Sequence, residues 1–131
     1  MKLLLVDDSE AARKGLRTAI ELKTTFEVVG EAQNGAEAVA LADELEVDVV
    51  LMDVRMPVMD GIEATAEIKR RHPEVYILAL SSTAEPSAVA GILRAGAAGY
   101  ILKGALPEDF MSPLEATSTG HKVRPMVPLL T

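Results

Sequence analysis

Short apolar runs alternate along this chain with longer stretches in which apolar residues recur every three or four positions. The runs occupy residues 3–6, 26–30, 47–52, 75–80 and 100–102. Four of them are rich in Val, Ile or Leu without strict alternation, the pattern of strands covered on both faces. The run at 26–30 is broken by Glu27 and reads as an edge strand. Between the runs, Ala12, Leu16, Ala19 and Ile20 share one helical face, with Ser9 placed as N-cap. Ala38, Leu41, Ala42 and Leu45 repeat that spacing after the Asn34-Gly35 turn, and Val89, Ile92 and Leu93 do so before a stop at Gly96. Residues 62–71 form a less regular helix closed by His72-Pro73, because the residue before proline resists the α region. Strand and helix in regular alternation imply right-handed crossovers and a doubly wound parallel α/β sheet with helices on both faces.

Composition narrows the function classes. The 131 residues make one domain, with only 3% aromatics and no Trp, so its core must be aliphatic. A net charge of −7 argues against this segment gripping nucleic acid or an anionic membrane, since phosphate contacts need clustered positive charge. The absence of Cys removes disulfides, thiolate catalysis and Cys-based metal sites. The first apolar run is stopped by Asp7 and Asp8, too early for a signal or a membrane span, and the chain is expected to act in the cytoplasm.

A doubly wound sheet places function at the carboxyl ends of its strands. Asp7 and Asp8 end the first strand, Asp53 the third, Ser81 the fourth and Lys103 the fifth. Three crowded carboxylates repel, and a hard divalent cation relieves them. A carboxylate is also a usable nucleophile towards phosphorus. Ser81 offers a hydroxyl donor to a phosphoryl oxygen, and Lys103 a mobile point charge. Each residue alone has a plain reading: Asp-Asp as a solvated turn, Lys103 as surface, Asp60-Gly61 as a turn and helix cap. His72 and His121 stand alone and are read as neither ligand nor base. The joint occurrence at successive strand ends carries the chemistry.

With these residues assembled, the sequence resembles the response-regulator receiver family of two-component systems. The resemblance lies in Leu4-Leu5-Val6-Asp7-Asp8-Ser9, Val50-Leu51-Met52-Asp53-Val54-Arg55-Met56-Pro57, Met59-Asp60-Gly61, Leu80-Ser81-Ser82 and Gly99-Tyr100-Ile101-Leu102-Lys103. Arg94-Ala95-Gly96-Ala97-Ala98-Gly99-Tyr100 is similar to the NarL/LuxR-type branch. The resemblance implies a flavodoxin-like fold of five strands in the order 2-1-3-4-5. It implies that Asp53 accepts a phosphoryl group from a sensor histidine kinase, a signalling switch rather than an enzyme. Asp7, Asp8, Asp53 and the Arg55 carbonyl would hold Mg²⁺ or Mn²⁺. Ser81 and Lys103 would bind the phosphoryl group, assisted by the Arg55 and Ser82 N–H groups. Tyr100 would report the switch, although it also reads as a packed strand residue. Arg55 and Thr83 would tune phosphoryl lifetime, although Arg55 could simply pair with an exposed carboxylate.

Two positions depart from the family pattern. Val58 stands where many relatives carry Gly, and a left-handed backbone is costly for a β-branched residue, so this loop is expected to be shaped differently. Pro113 falls inside the expected last helix, while Ser112-Pro113-Leu114-Glu115 reads as a fresh start with its own capping box. That helix is expected to be kinked, broken or late, which weakens the inference of a homodimer on phosphorylation. Residues 1–119 read as the receiver and 120–131, with Pro125 and Pro128, as a linker towards a helix-turn-helix output domain not in this chain. DNA would be met only through that domain, and no membrane is expected as a partner. A stand-alone receiver acting by protein contact is the alternative. A phosphatase or phosphotransferase working through an aspartyl phosphate lacks support because Asp53 is followed by Val54 and Arg55, not by the usual Asp-x-Asp pattern, and no inserted cap segment is available to enclose a substrate. A nucleotide-binding or purely structural α/β domain lacks support because no Gly-rich phosphate loop follows the first strand, where Asp7-Asp8-Ser9 stands instead.

Overall fold

The computed structural model describes residues 1–81 and 86–102. It contains β1 (Lys2–Val6), α1 (Glu10–Lys23), β2 (Glu27–Ala32), α2 (Gly35–Glu44), β3 (Val49–Asp53), α3 (Gly61–Arg71), β4 (Tyr76–Ser81), α4 (Pro86–Ala95) and β5 (Gly99–Leu102). The strands form one sheet in the order β2-β1-β3-β4-β5, and every pairing is parallel. As the interruption at Glu27 implied, β2 lies at an edge, with Glu27 exposed.

The absence of alternation in the apolar runs has its cause in two cores. Leu4, Val6, Val50, Met52, Ile77, Ala79 and Tyr100 pack on one side of the sheet against α2, α3 and α4 residues such as Ala38, Ala64, Ile68 and Ile92. Leu3, Leu5, Val49, Leu51, Leu78, Leu80 and Ile101 point the other way, onto Ile20 of α1 and Phe26. The residues of the central strand β3 are therefore all buried whichever way they face, and the same holds for most of β1 and β4, worth about 1.5–3 kcal/mol for each large aliphatic.

Helix ends follow the local signals. Ser9, Asn34 and Asp60 each accept a backbone N–H three residues on, from Ala12, Glu37 and Glu63. Gly96 follows α4 at φ +121°, a conformation glycine adopts without steric cost. His72 caps α3, and its Nε2 lies 2.8 Å from Asp43 Oδ1 of α2. Arg71 pairs with the same carboxylate, so the C-terminal ends of α2 and α3 are tied across the surface. Such exposed pairs contribute at most about 1 kcal/mol.

Val58 corrects the expectation of a differently shaped loop. It adopts φ 70°, the left-handed conformation that was expected to be avoided. The Met59 N–H donates to the Pro57 carbonyl at 2.8 Å, closing a γ-turn of the strained positive-φ kind around Val58. Ser82, Thr83, Lys103 and Pro113 lie outside the described residues, as do His121 and the expected linker at 120–131. Among the described residues no helix is long and apolar enough to cross a membrane.

Candidate functional site

Parallel strands end on a common edge, and the register decides which side chains meet there. Val6 pairs with Met52, so Asp7, one residue on, arrives beside Asp53. Asp53 pairs with Leu80, and Ser81 with Leu102. Carboxylate oxygens of Asp7, Asp8 and Asp53 lie within 4.8 Å of one another. Asp7 and Asp53 are buried while Asp8 is exposed, so the cluster opens to solvent on the Asp8 side. Two unit charges 4 Å apart near a protein surface interact by about 4 kcal/mol, so three carboxylates this close need a counter-charge. The donor set is all oxygen, which suits a hard divalent cation that retains part of its water shell.

Backbone contacts aim these groups. The Asp7 N–H donates to the Ala32 carbonyl at 3.0 Å, extending the β1–β2 ladder to the acidic residue itself. Asp7 Oδ1 accepts the Ser9 N–H at 2.9 Å, turning the chain into α1. The loop from Asp53 to α3 is held at both ends by glycines. The Gly61 N–H donates to the Val54 carbonyl at 2.8 Å, and a β-carbon on Gly61 would lie 2.1 Å from the Asp53 carbonyl oxygen. From α2, the Gly35 N–H donates to the Met59 carbonyl at 2.8 Å, where a β-carbon would come within 2.5 Å of that oxygen. Pinned in this way, the loop has little choice about Val58. Arg55, in the same loop, is exposed.

Ser81 is buried at the end of β4, and Tyr100 of the neighbouring β5 is wholly buried. The two side chains share a hydrogen bond. Burial holds the Tyr100 phenol above its ordinary value, and the bond with Ser81 opposes that shift. Tyr100 is thus turned into the sheet's interior and touches the hydroxyl residue it was expected to report on.

Of the residues singled out in the sequence, the described fold gathers Asp7, Asp8 and Asp53 and joins Ser81 to Tyr100. Two contributors to the site went unread in the pattern. Arg13, in the first turns of α1, donates from Nη1 to the Asp7 carbonyl at 2.6 Å. Gly35 was legible as a turn but not as a support for a loop 24 residues further on, a contact made only by tertiary packing. Away from the site, at the C-terminal ends of α2 and α3, Asp43 gives His72 a partner that the sequence left it without.

Comparison with known proteins bears on the same residues. Residues 3–115 match the family described as response regulator receiver domain. The chain is 42% identical over 123 residues to the response regulator protein VraR of Staphylococcus aureus, covering 94% of this chain and 59% of VraR. It therefore spans less than two thirds of that relative's length. A LuxR-family two-component response regulator from Aurantimonas sp. superposes with a TM-score of 0.89 at 33% identity, over 97% of this chain and 89% of that one. The signal receiver domain of the NarL response regulator of Mycobacterium tuberculosis gives 0.86 at 32%, over 92% and 97%. Fold, strand order and sequence agree, and the chain belongs to the response regulator receiver domain family, in its NarL/LuxR-type branch.

Proposed function

We propose that this receiver is a phosphorylation switch in which Asp53 is the phosphoacceptor. One observation carries the reading: three carboxylates drawn within 4.8 Å of one another at the carboxyl edge of a parallel sheet, where their mutual repulsion favours a bound cation. Asp7, Asp8, Asp53 and the Arg55 carbonyl would hold Mg²⁺, or Mn²⁺. That cation, when bound, screens negative charge on donor and acceptor. An Asp53 carboxylate oxygen attacks the phosphorus of a phosphohistidine on a sensor kinase. The P–O bond forms as the P–N bond breaks, and the imidazole leaves with the bonding electron pair and takes up a proton.

The new phosphoryl group adds about −1.5 to −2 charges and three acceptor oxygens. Ser81 then donates to one of those oxygens and gives up its bond with Tyr100, while Lys103 pairs with the added charge. Both events favour one arrangement of the loops that follow β3 and β4. Arg55 and Thr83 flank the approach of water and set the phosphoryl lifetime. Residues 1–119 form the switch and 120–131 the linker. The span of only 59% of VraR supports an output domain beyond it, through which a cytoplasmic regulator would act on DNA, as a dimer once phosphorylated.

Incubation with acetyl phosphate and Mg²⁺, followed by intact mass measurement, tests this. The reading expects a single acid-labile phosphoryl adduct that is absent in Asp53→Asn. An adduct that persists in that variant sinks it, and so does no adduct with any donor.

A further inference from the structure

Behind the acidic turn lies a chain of charged groups that the phosphorylation chemistry does not use. Arg13 Nη1 donates to the Asp7 backbone carbonyl at 2.6 Å, and Arg13 Nε donates to Glu31 Oε1 at 3.1 Å. Glu31 Oε2 accepts from Arg17 Nη1 at 2.7 Å, and Arg17 Nε donates to Glu21 at 2.9 Å. The Arg13 side chain is only 15% exposed, whereas that of Arg17 is 42% exposed. The innermost member of the chain is thus the one that meets the carbonyl of a cluster residue.

We propose that Arg13 is a positioning residue for the cation site, an assignment that rests on the metal-binding reading of Asp7, Asp8 and Asp53. A guanidinium is a rigid planar fork, so two bonds from one plane fix both its direction and that of the groups it meets. Glu31, on β2, orients the fork, and the fork fixes the Asp7 peptide. The bond goes to the Asp7 backbone rather than to its carboxylate, so the positive charge does not compete with a cation for the carboxylate oxygens. Fixing that peptide aims both acidic side chains, because the Asp7 carbonyl belongs to the very peptide unit that joins Asp7 to Asp8. Outer partners of this kind set how well a metal site is organised, and their loss typically weakens metal affinity by about 10- to 100-fold. Arg17 has no such reach. It bridges Glu21 of α1 to Glu31 of β2 and touches none of the three acids.

Isothermal titration of the full chain with Mg²⁺ distinguishes positioning from a simple staple between α1 and β2. Arg13→Met, which keeps the apolar stem, should raise the Mg²⁺ dissociation constant about tenfold. Arg13→Lys should recover part of that loss, and Arg17→Met should leave the constant near the wild-type value. At saturating Mg²⁺ the rate of phosphorylation by acetyl phosphate in Arg13→Met should return to within about twofold of wild type. Equal Mg²⁺ affinity in Arg13→Met and wild type overturns the assignment, and so does an equal loss in Arg17→Met. Should Arg13→Met fail to fold, Arg13→Lys carries the test, and unchanged affinity there overturns it as well. A wild-type chain that binds Mg²⁺ and is phosphorylated, alongside an unaffected Arg13→Met, sinks the positioning role alone. A wild-type chain that binds no Mg²⁺ sinks the function and this assignment together.

Discussion

Val58 concentrates the local cost of the site in one residue. An L-residue in the left-handed region loses roughly 1–2 kcal/mol through contact between its β-carbon and the following carbonyl, and a β-branched side chain has the least room to adjust. Val58 is 85% exposed, so packing returns little of that loss. Val58→Gly should therefore stabilise the fold by about 1 kcal/mol, after allowing for the greater entropy glycine brings to the unfolded chain. Urea unfolding at equilibrium measures this, and a less stable variant would show that the turn is not strained. Thr65 in α3 is also at odds with its surroundings. It is fully buried, and its hydroxyl has no hydrogen-bond partner among the described residues.

At the scale of elements, the same substitution should have opposite consequences at two glycines. Gly61 starts α3 against the last residue of β3, where a β-carbon would sit 2.1 Å from the Asp53 carbonyl oxygen and 2.9 Å from the Val54 Cα. Both are backbone atoms and neither can swing aside. Gly61→Ala should cost on the order of 3 kcal/mol or more and should impair phosphorylation by displacing Asp53. Gly15 lies within α1 with nothing within 4 Å of a built β-carbon, so Gly15→Ala should gain up to about 1 kcal/mol from helix propensity. Thermal melts of the two variants, read with their acetyl phosphate labelling, check the pair. A Gly61→Ala chain that melts and labels like wild type would mean that the α3 junction is slack.

Across the whole molecule, charge links the helix on one side of the sheet to the edge strand. Glu31 of β2 is held below its usual value of 4.5 by hydrogen bonds from Arg17 first and Arg13 second. A carboxylate lowered in the folded state contributes stability that is complete above its unfolded value and disappears as pH falls through the folded one. The wild type should therefore be more stable than Glu31→Gln near neutral pH, and the difference should close below about 4.5 as Glu31 takes up its proton. Denaturation midpoints across that range decide it. A gap that stays constant into acid would trace the effect to packing instead of charge.

Much of this architecture was legible along the chain because its causes act over a turn or less. Ser9, Asn34 and Asp60 cap helices by reaching three residues ahead, and the doubly buried strands show in uninterrupted runs of Leu, Val and Ile. Asp7, Asp8, Asp53 and Ser81 could be placed at strand ends by counting residues, and parallel strands share an edge. Val58 was misread because only local cost was weighed, whereas Gly35 and Gly61 close the loop around it from two different helices.

By itself, then, the sequence determined the elements, their caps and the kind of chemistry available at the strand ends, since propensity, capping and burial are properties of neighbouring residues. Only the tertiary structure decided that Arg13 would grip the Asp7 carbonyl, that Ser81 would meet Tyr100, and that Val58 would be forced left-handed. Those contacts join residues brought close by strand register and helix docking. No local pattern encodes a distance that the chain spans only once it has folded.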